Sequence, residues 1–169
     1  QTEWTRARLA ELHPDLEIEV KSFSTTGDRI LDIPLSQIGD KALFTKELDE
    51  SMIEGRIDIA VHSLKDLPSV LEPGISLVAV PQREDPRDAW VSDRYESIDA
   101  VPEGAVVLTG SLRRRALLLA HRPDLDVRDL RGNVGTRLDK IAAEGVAGGI
   151  LALAGLSRLG EDARAASVL

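Results

Sequence analysis

Ala105-Val106-Val107-Leu108-Thr109-Gly110-Ser111-Leu112-Arg113-Arg114-Arg115 runs from an apolar stretch through a Thr-Gly-Ser turn into a helical pattern. The stretch predicts a strand over 105–108 and a helix over 112–121. Such a turn presents free backbone N–H groups and the positive end of the helix dipole. Three arginines in the first helical turn oppose the usual preference for acids there, which points to an anion nearby; a solvated basic turn is the plainer alternative. A second unit of the same kind follows at Asp129-Leu130-Arg131-Gly132-Asn133-Val134-Gly135-Thr136-Arg137-Leu138. Again a strand yields to a glycine-bearing turn and a helix start, with Arg131 and Arg137 flanking it. Guanidinium forks bind carboxylates bidentately, so the pattern implies a ligand rich in carboxylate or phosphate. No Walker-type loop is present, and several carboxylates on an extended ligand fit better.

Outward from these turns, strands are expected over 89–91, 126–130 and 150–153, with helices over 134–143 and 155–159. Strands alternating with helices imply βαβ units and an α/β fold with mixed, largely parallel sheets. Toward the start, the spacing predicts a helix over 2–12, a half-buried strand over 16–23 and a helix carrying Phe44, Leu48, Met52 and Ile53. Gly55 stands at that helix's C-cap position. Further strands are expected over 57–61, as an interior strand, and over 76–80. Pro81-Gln82-Arg83-Glu84-Asp85-Pro86-Arg87 is charged and bracketed by prolines, as a linker would be. The expected organisation is two lobes, 1–82 and 88–169, joined by a hinge at 83–87.

The 169 residues hold 43% hydrophobic and 30% charged side chains, a globular balance. Lys plus Arg is 21 against 29 Asp plus Glu, a net charge of −8. That acidity argues against a nucleic-acid binder, while leaving room for a local basic pocket. With no cysteine, disulfides, thiolate metal sites and a cysteine nucleophile are excluded from this stretch. No apolar run is long enough to span a membrane and no signal peptide opens the chain, so a cytoplasmic location is expected. The chain opens on Gln1, and its sole methionine is Met52. A piece of a longer protein is therefore expected.

In Ala60-Val61-His62-Ser63-Leu64-Lys65-Asp66-Leu67-Pro68 an apolar run leads into a Lys-Asp pair, and Pro68 prevents a strand from continuing. Ligands of open α/β sheets bind at the carboxyl ends of strands. Asp66 there could assist proton transfer or stabilise a developing cation, and Lys65 could bind an anion. A solvent-facing ion pair is the alternative. His13 and His121 sit at helix ends, where capping is expected, and His62 is expected to be packed or hydrogen-bonded. No metal-ligand spacing appears. Trp4 and Trp90 are expected in the core.

Taken together, several stretches resemble porphobilinogen deaminase, the hydroxymethylbilane synthase family. They are Thr26-Gly27-Asp28, Lys41 with 43–48, Asp58 to Pro68, Arg83 to Ala89, Ser111-Leu112-Arg113-Arg114, Arg131 to Leu138 and Ala154 to Gly160. They span nearly the whole chain in one order. The resemblance implies a transferase of tetrapyrrole (heme) biosynthesis that joins four porphobilinogens head to tail and releases ammonia from each. It implies two domains like type II periplasmic binding proteins and a third, absent here, whose cysteine holds a dipyrromethane cofactor. It further implies a monomer that binds neither nucleic acid nor membrane.

Residue by residue, Asp66 matches the catalytic aspartate. Lys65, Arg113, Arg114, Arg131, Arg137 and Arg158 match residues that bind cofactor or substrate carboxylates. Thr109 and Ser111 match contacts near the same site, and Lys41 matches a loop lysine. The sequence departs from the family at Asp40 and Ala42, which replace loop glycines, and at Gly110, which replaces a serine. The resemblance also implies that lobe one lacks its first strand and its return strand. The alternative function is a non-catalytic or degenerate binding module of the periplasmic-binding-protein fold.

Overall fold

A computed structural model describes residues 1–29, 44–143 and 145–169. The described residues form two compact units, one over 1–29 with 44–80 and one over 81–143 with 145–169. The expected loop lysine, Lys41, and the substitutions at Asp40 and Ala42 lie outside the described residues.

The second unit holds a five-stranded sheet. Its strands are β1 (Asp88–Val91), β2 (Val106–Leu108), β3 (Asp126–Arg128), β4 (Val146–Ala152) and β5 (Ala165–Val168). The spatial order is β3-β2-β4-β1-β5. β2 runs parallel to β3 and β4, whereas β1 is antiparallel to β4 and β5. The sheet is therefore mixed, with only two parallel pairings rather than mostly parallel. Helices over Leu112–His121, Val134–Ile141 and Leu153–Ser157 follow β2, β3 and β4.

Alternation along the strands gives each face of this sheet its own core. Trp90, Val107, Val127 and Ile150 pack with Leu118 of the helix after β2. Ala89, Val91, Leu108 and Leu151 pack on the other face with Leu138 and Ile141 of the helix after β3 and Leu156 of the helix after β4. The glycine pair in β4 makes both contacts possible. A Cβ on Gly148 would lie 2.4 Å from the Trp90 ring, and one on Gly149 would lie 2.6 Å from Ile141. Leu130, expected at the end of a strand, instead leaves β3 and is fully buried in the second core.

The first unit has helices over Thr2–Leu12, Thr26–Arg29 and Lys46–Ile53 and a 3₁₀ turn at Leu64–Asp66. The third helix ends as its glycine implies, with Gly55 at φ 70°. The Thr2–Leu12 helix buries none of its residues. Its ion pairs Glu3–Arg6 and Arg8–Glu11 lie one turn apart on its surface.

Three strands expected in this unit do not form. Residues 16–23, 57–61 and 76–80 carry no strand, and their apolar side chains include exposed Leu16, Val20, Ile59, Leu77, Val78 and Val80. A strand needs a hydrogen-bonding neighbour, and none of the described residues supplies one. Trp4 is likewise 55% exposed rather than in the core, while Trp90 is fully buried. Among the described residues no helix is long and apolar enough to cross a membrane.

Candidate functional site

In the second unit the turns after β2 and β3 lie side by side. The Thr109 N–H donates to the Arg128 carbonyl at 3.0 Å, carrying the pairing one residue past the strand ends. A Cβ on Gly110 would sit 2.4 Å from the Leu130 carbonyl oxygen. Gly110, which replaces a serine of the family pattern, leaves room for the two turns to approach this closely. Thr109 is almost fully buried and its hydroxyl accepts the Ser111 N–H at 3.3 Å. Ser111 in turn accepts the Arg114 N–H, opening the Leu112–His121 helix as its N-cap.

The anion implied by the arginine-rich first turn is present within the chain. Arg113 donates to Asp88 Oδ2 at 2.7 Å and Arg114 to Asp88 Oδ1 at 2.8 Å. Asp88 begins β1 opposite Ala152, the last residue of β4, so the acid lies at the carboxyl end of a parallel strand. Burial raises its pKa, but the hydrogen bonds from Arg114 and Arg113 outweigh this and hold the carboxyl below its usual range. Arg114 also donates to the Ile150 carbonyl at 3.3 Å, while its buried Nε has no hydrogen-bond partner. Arg115 is exposed and makes no ion pair among the described residues.

The second turn is locked by its own side chains. Gly132 has φ 115°, a conformation that favours glycine. Asn133 caps the following helix by accepting the Thr136 N–H at 2.9 Å. Arg137 Nε donates to the Gly132 carbonyl at 2.7 Å, and Lys140 to the Arg131 carbonyl at 3.0 Å. Arg131 itself is 8% exposed. Arg158 follows the Leu153–Ser157 helix, exposed and without an ion pair among the described residues.

Neighbouring strands β2 and β4 lead into helices that cover opposite faces of the sheet. That divergence makes a topological switch point, and the crevice outside the strand ends at such a point is where α/β sheets bind ligands. Thr109, Ser111, Arg113 and Arg114 stand on the β2 side of it. Asp88, the first residue of the expected second lobe and not among the expected site residues, stands at the β4 end.

In the first unit, Lys65 and Asp66 are exposed in the 3₁₀ turn at Leu64–Asp66. The Asp66 N–H donates to the Ser63 carbonyl at 2.9 Å. The pair therefore stands on a turn rather than at the end of the expected interior strand. Ser63 exchanges hydrogen bonds with Gln1, and the buried Nε2 of His62 has no partner. The two other histidines stand at helix ends as expected. His13 follows the first helix, and His121 closes the Leu112–His121 helix with its ring nitrogen 2.6 Å from Asp99.

A family model described as porphobilinogen deaminase, dipyromethane cofactor binding domain, matches residues 1–169. The chain belongs to the porphobilinogen deaminase family. The porphobilinogen deaminase of Burkholderia pseudomallei is 53% identical over 169 residues, all of this chain and 51% of that protein. That of Syntrophotalea carbinolica is 52% identical over 159 residues, 94% of this chain and 50% of that protein. That of Aliarcobacter butzleri is 50% identical over 160 residues, 95% of this chain and 51% of that protein. The chain thus spans about half the length of these porphobilinogen deaminases.

Proposed function

We propose that this chain serves the head-to-tail condensation of four porphobilinogens to hydroxymethylbilane, with release of ammonia at each addition. The observation that carries the reading is the pair of arginine-bearing turns side by side at the carboxyl ends of β2 and β3, in a chain of this family. Porphobilinogen bears an acetate and a propionate, so a growing product accumulates carboxylates. Arg113, Arg114, Arg131, Arg137 and Arg158, with Lys65 and the loop lysine Lys41, are assigned to hold them. Thr109 and Ser111 add hydroxyl and backbone contacts. Asp66 is assigned the catalytic role, taking up the leaving ammonium and stabilising cationic pyrrole intermediates.

The family model's description names a dipyrromethane cofactor. The arginines and hydroxyls at these strand ends suit its carboxylates, whereas none of the 169 residues is a cysteine that could attach it. In the family that group supplies the end on which the product is built. Residues 1–82 and 88–169 are read as two lobes of the type II periplasmic-binding-protein kind, joined by a hinge at 83–87. The doubly covered sheet of the second unit supports this reading. A monomer acting in the cytoplasm completes it.

The test is Asp66→Asn in the protein that carries this chain. Turnover of porphobilinogen should fall about 100- to 1,000-fold, the usual effect of losing one well-placed electrostatic stabiliser. The melting temperature should stay unchanged, because Asp66 is exposed on a short turn. Turnover within about threefold of the parent would remove Asp66 from the chemistry.

A further inference from the structure

Asp88 holds its two arginines unequally. The Arg114 side chain is 12% exposed, and it bonds both Asp88 and the Ile150 carbonyl. The Arg113 side chain is 61% exposed and reaches Asp88 through a single nitrogen, leaving most of its N–H donors toward solvent. An exposed ion pair contributes little net free energy and is readily exchanged. A half-buried one is costly to break, because one charge is left unpaired away from water.

We propose that Asp88 is a resident counter-ion, which Arg113 exchanges for a carboxylate of a small polycarboxylate ligand while Arg114 keeps hold of it. The inference deepens the proposed function and rests on its reading of this strand end as a carboxylate site. Asp88 offsets one of the two guanidinium charges, so a single ligand carboxylate gains little here. A ligand that offers a second carboxylate to the neighbouring turn gains more. Asp88 thereby acts as a positioning residue that keeps Arg114 fixed and sets which ligands Arg113 accepts.

The arginine side-chain Nε–H signals in nuclear magnetic resonance spectra of the 169-residue chain, titrated with succinate, test this. The Arg113 signal should move and the Arg114 signal should stay. Asp88→Asn should lower the succinate midpoint about two- to fivefold, the worth of one exposed ion pair. If Asp88→Asn unfolds the chain, Arg113→Lys leaves the Asp88–Arg114 pair intact. That variant should weaken succinate binding, measured by calorimetry, by about the same factor with its melting temperature unchanged. An Arg114 signal that moves with that of Arg113, no response to succinate, or a midpoint unchanged in Asp88→Asn or Arg113→Lys overturns the proposal. Failure of the deaminase reading is seen separately, in porphobilinogen turnover, which uses neither succinate nor these signals.

Discussion

Trp90 and Trp4 show how differently the two units treat the same residue type. Trp90 lies on β1 with no exposed surface, its ring over Gly148 and its indole N–H donating to the Tyr95 carbonyl at 2.8 Å. Trp4 lies on a helix that buries nothing, and it is more than half exposed. The contrast extends to the β-patterned segments. Val106–Leu108 and Val146–Ala152 pair with each other and each covers two cores, whereas 57–61 and 76–80 have similar apolar content and no ladder. β-branched and alternating residues suit a strand, but paired neighbours decide whether one forms.

Replacing each tryptophan with alanine puts this contrast at greatest risk. Trp90→Ala should cost about 3–5 kcal/mol, the loss of a large buried side chain and the cavity it leaves. Trp4→Ala should fall within about 0.5 kcal/mol of the parent. Denaturant unfolding followed by circular dichroism reads both, and equal losses would mean that Trp4 is buried after all.

A smaller effect sharpens the comparison at the glycines. Gly110→Ala should cost about 1–3 kcal/mol, because its Cβ meets the backbone oxygen of Leu130, which cannot swing aside. In the first unit, the atoms nearest a Cβ on Gly27 belong to the ring of Phe44. The ring can turn and alanine favours helix, so the cost of Gly27→Ala should stay near or below about 1 kcal/mol. The reverse order, read from the same denaturant curves, would make the first unit the more tightly packed one.

Local signals were legible where one stretch of chain carries them. The helix over Leu112–His121 follows from apolar spacing, and the end of the Lys46–Ile53 helix follows from Gly55. The helix over Thr2–Leu12 forms at the expected bounds although it buries no apolar face. β5 gave little signal, since Ala165, Ala166 and Ser167 are small and its alternation is only half-buried against exposed. At the site, the two arginine turns could be read from strand, glycine and helix in succession. Asp88 could not, because its partners Arg113 and Arg114 lie 25 and 26 residues away and only the sheet order joins them. The Lys65–Asp66 pair was legible as a pair, but the strand expected to present it lacks neighbours among the described residues.

Amide hydrogen exchange on the 169-residue chain tests the contrast between the units most directly, because protection follows local opening of hydrogen-bonded structure. Amides of Val107, Trp90 and Ile150 should exchange only with global unfolding of the second unit. Those of 17–24, 58–63 and 76–80 should exchange at close to unprotected rates. Protection of 58–61 equal to that of Val146–Ala152 would show a paired strand in the first unit and contradict this account.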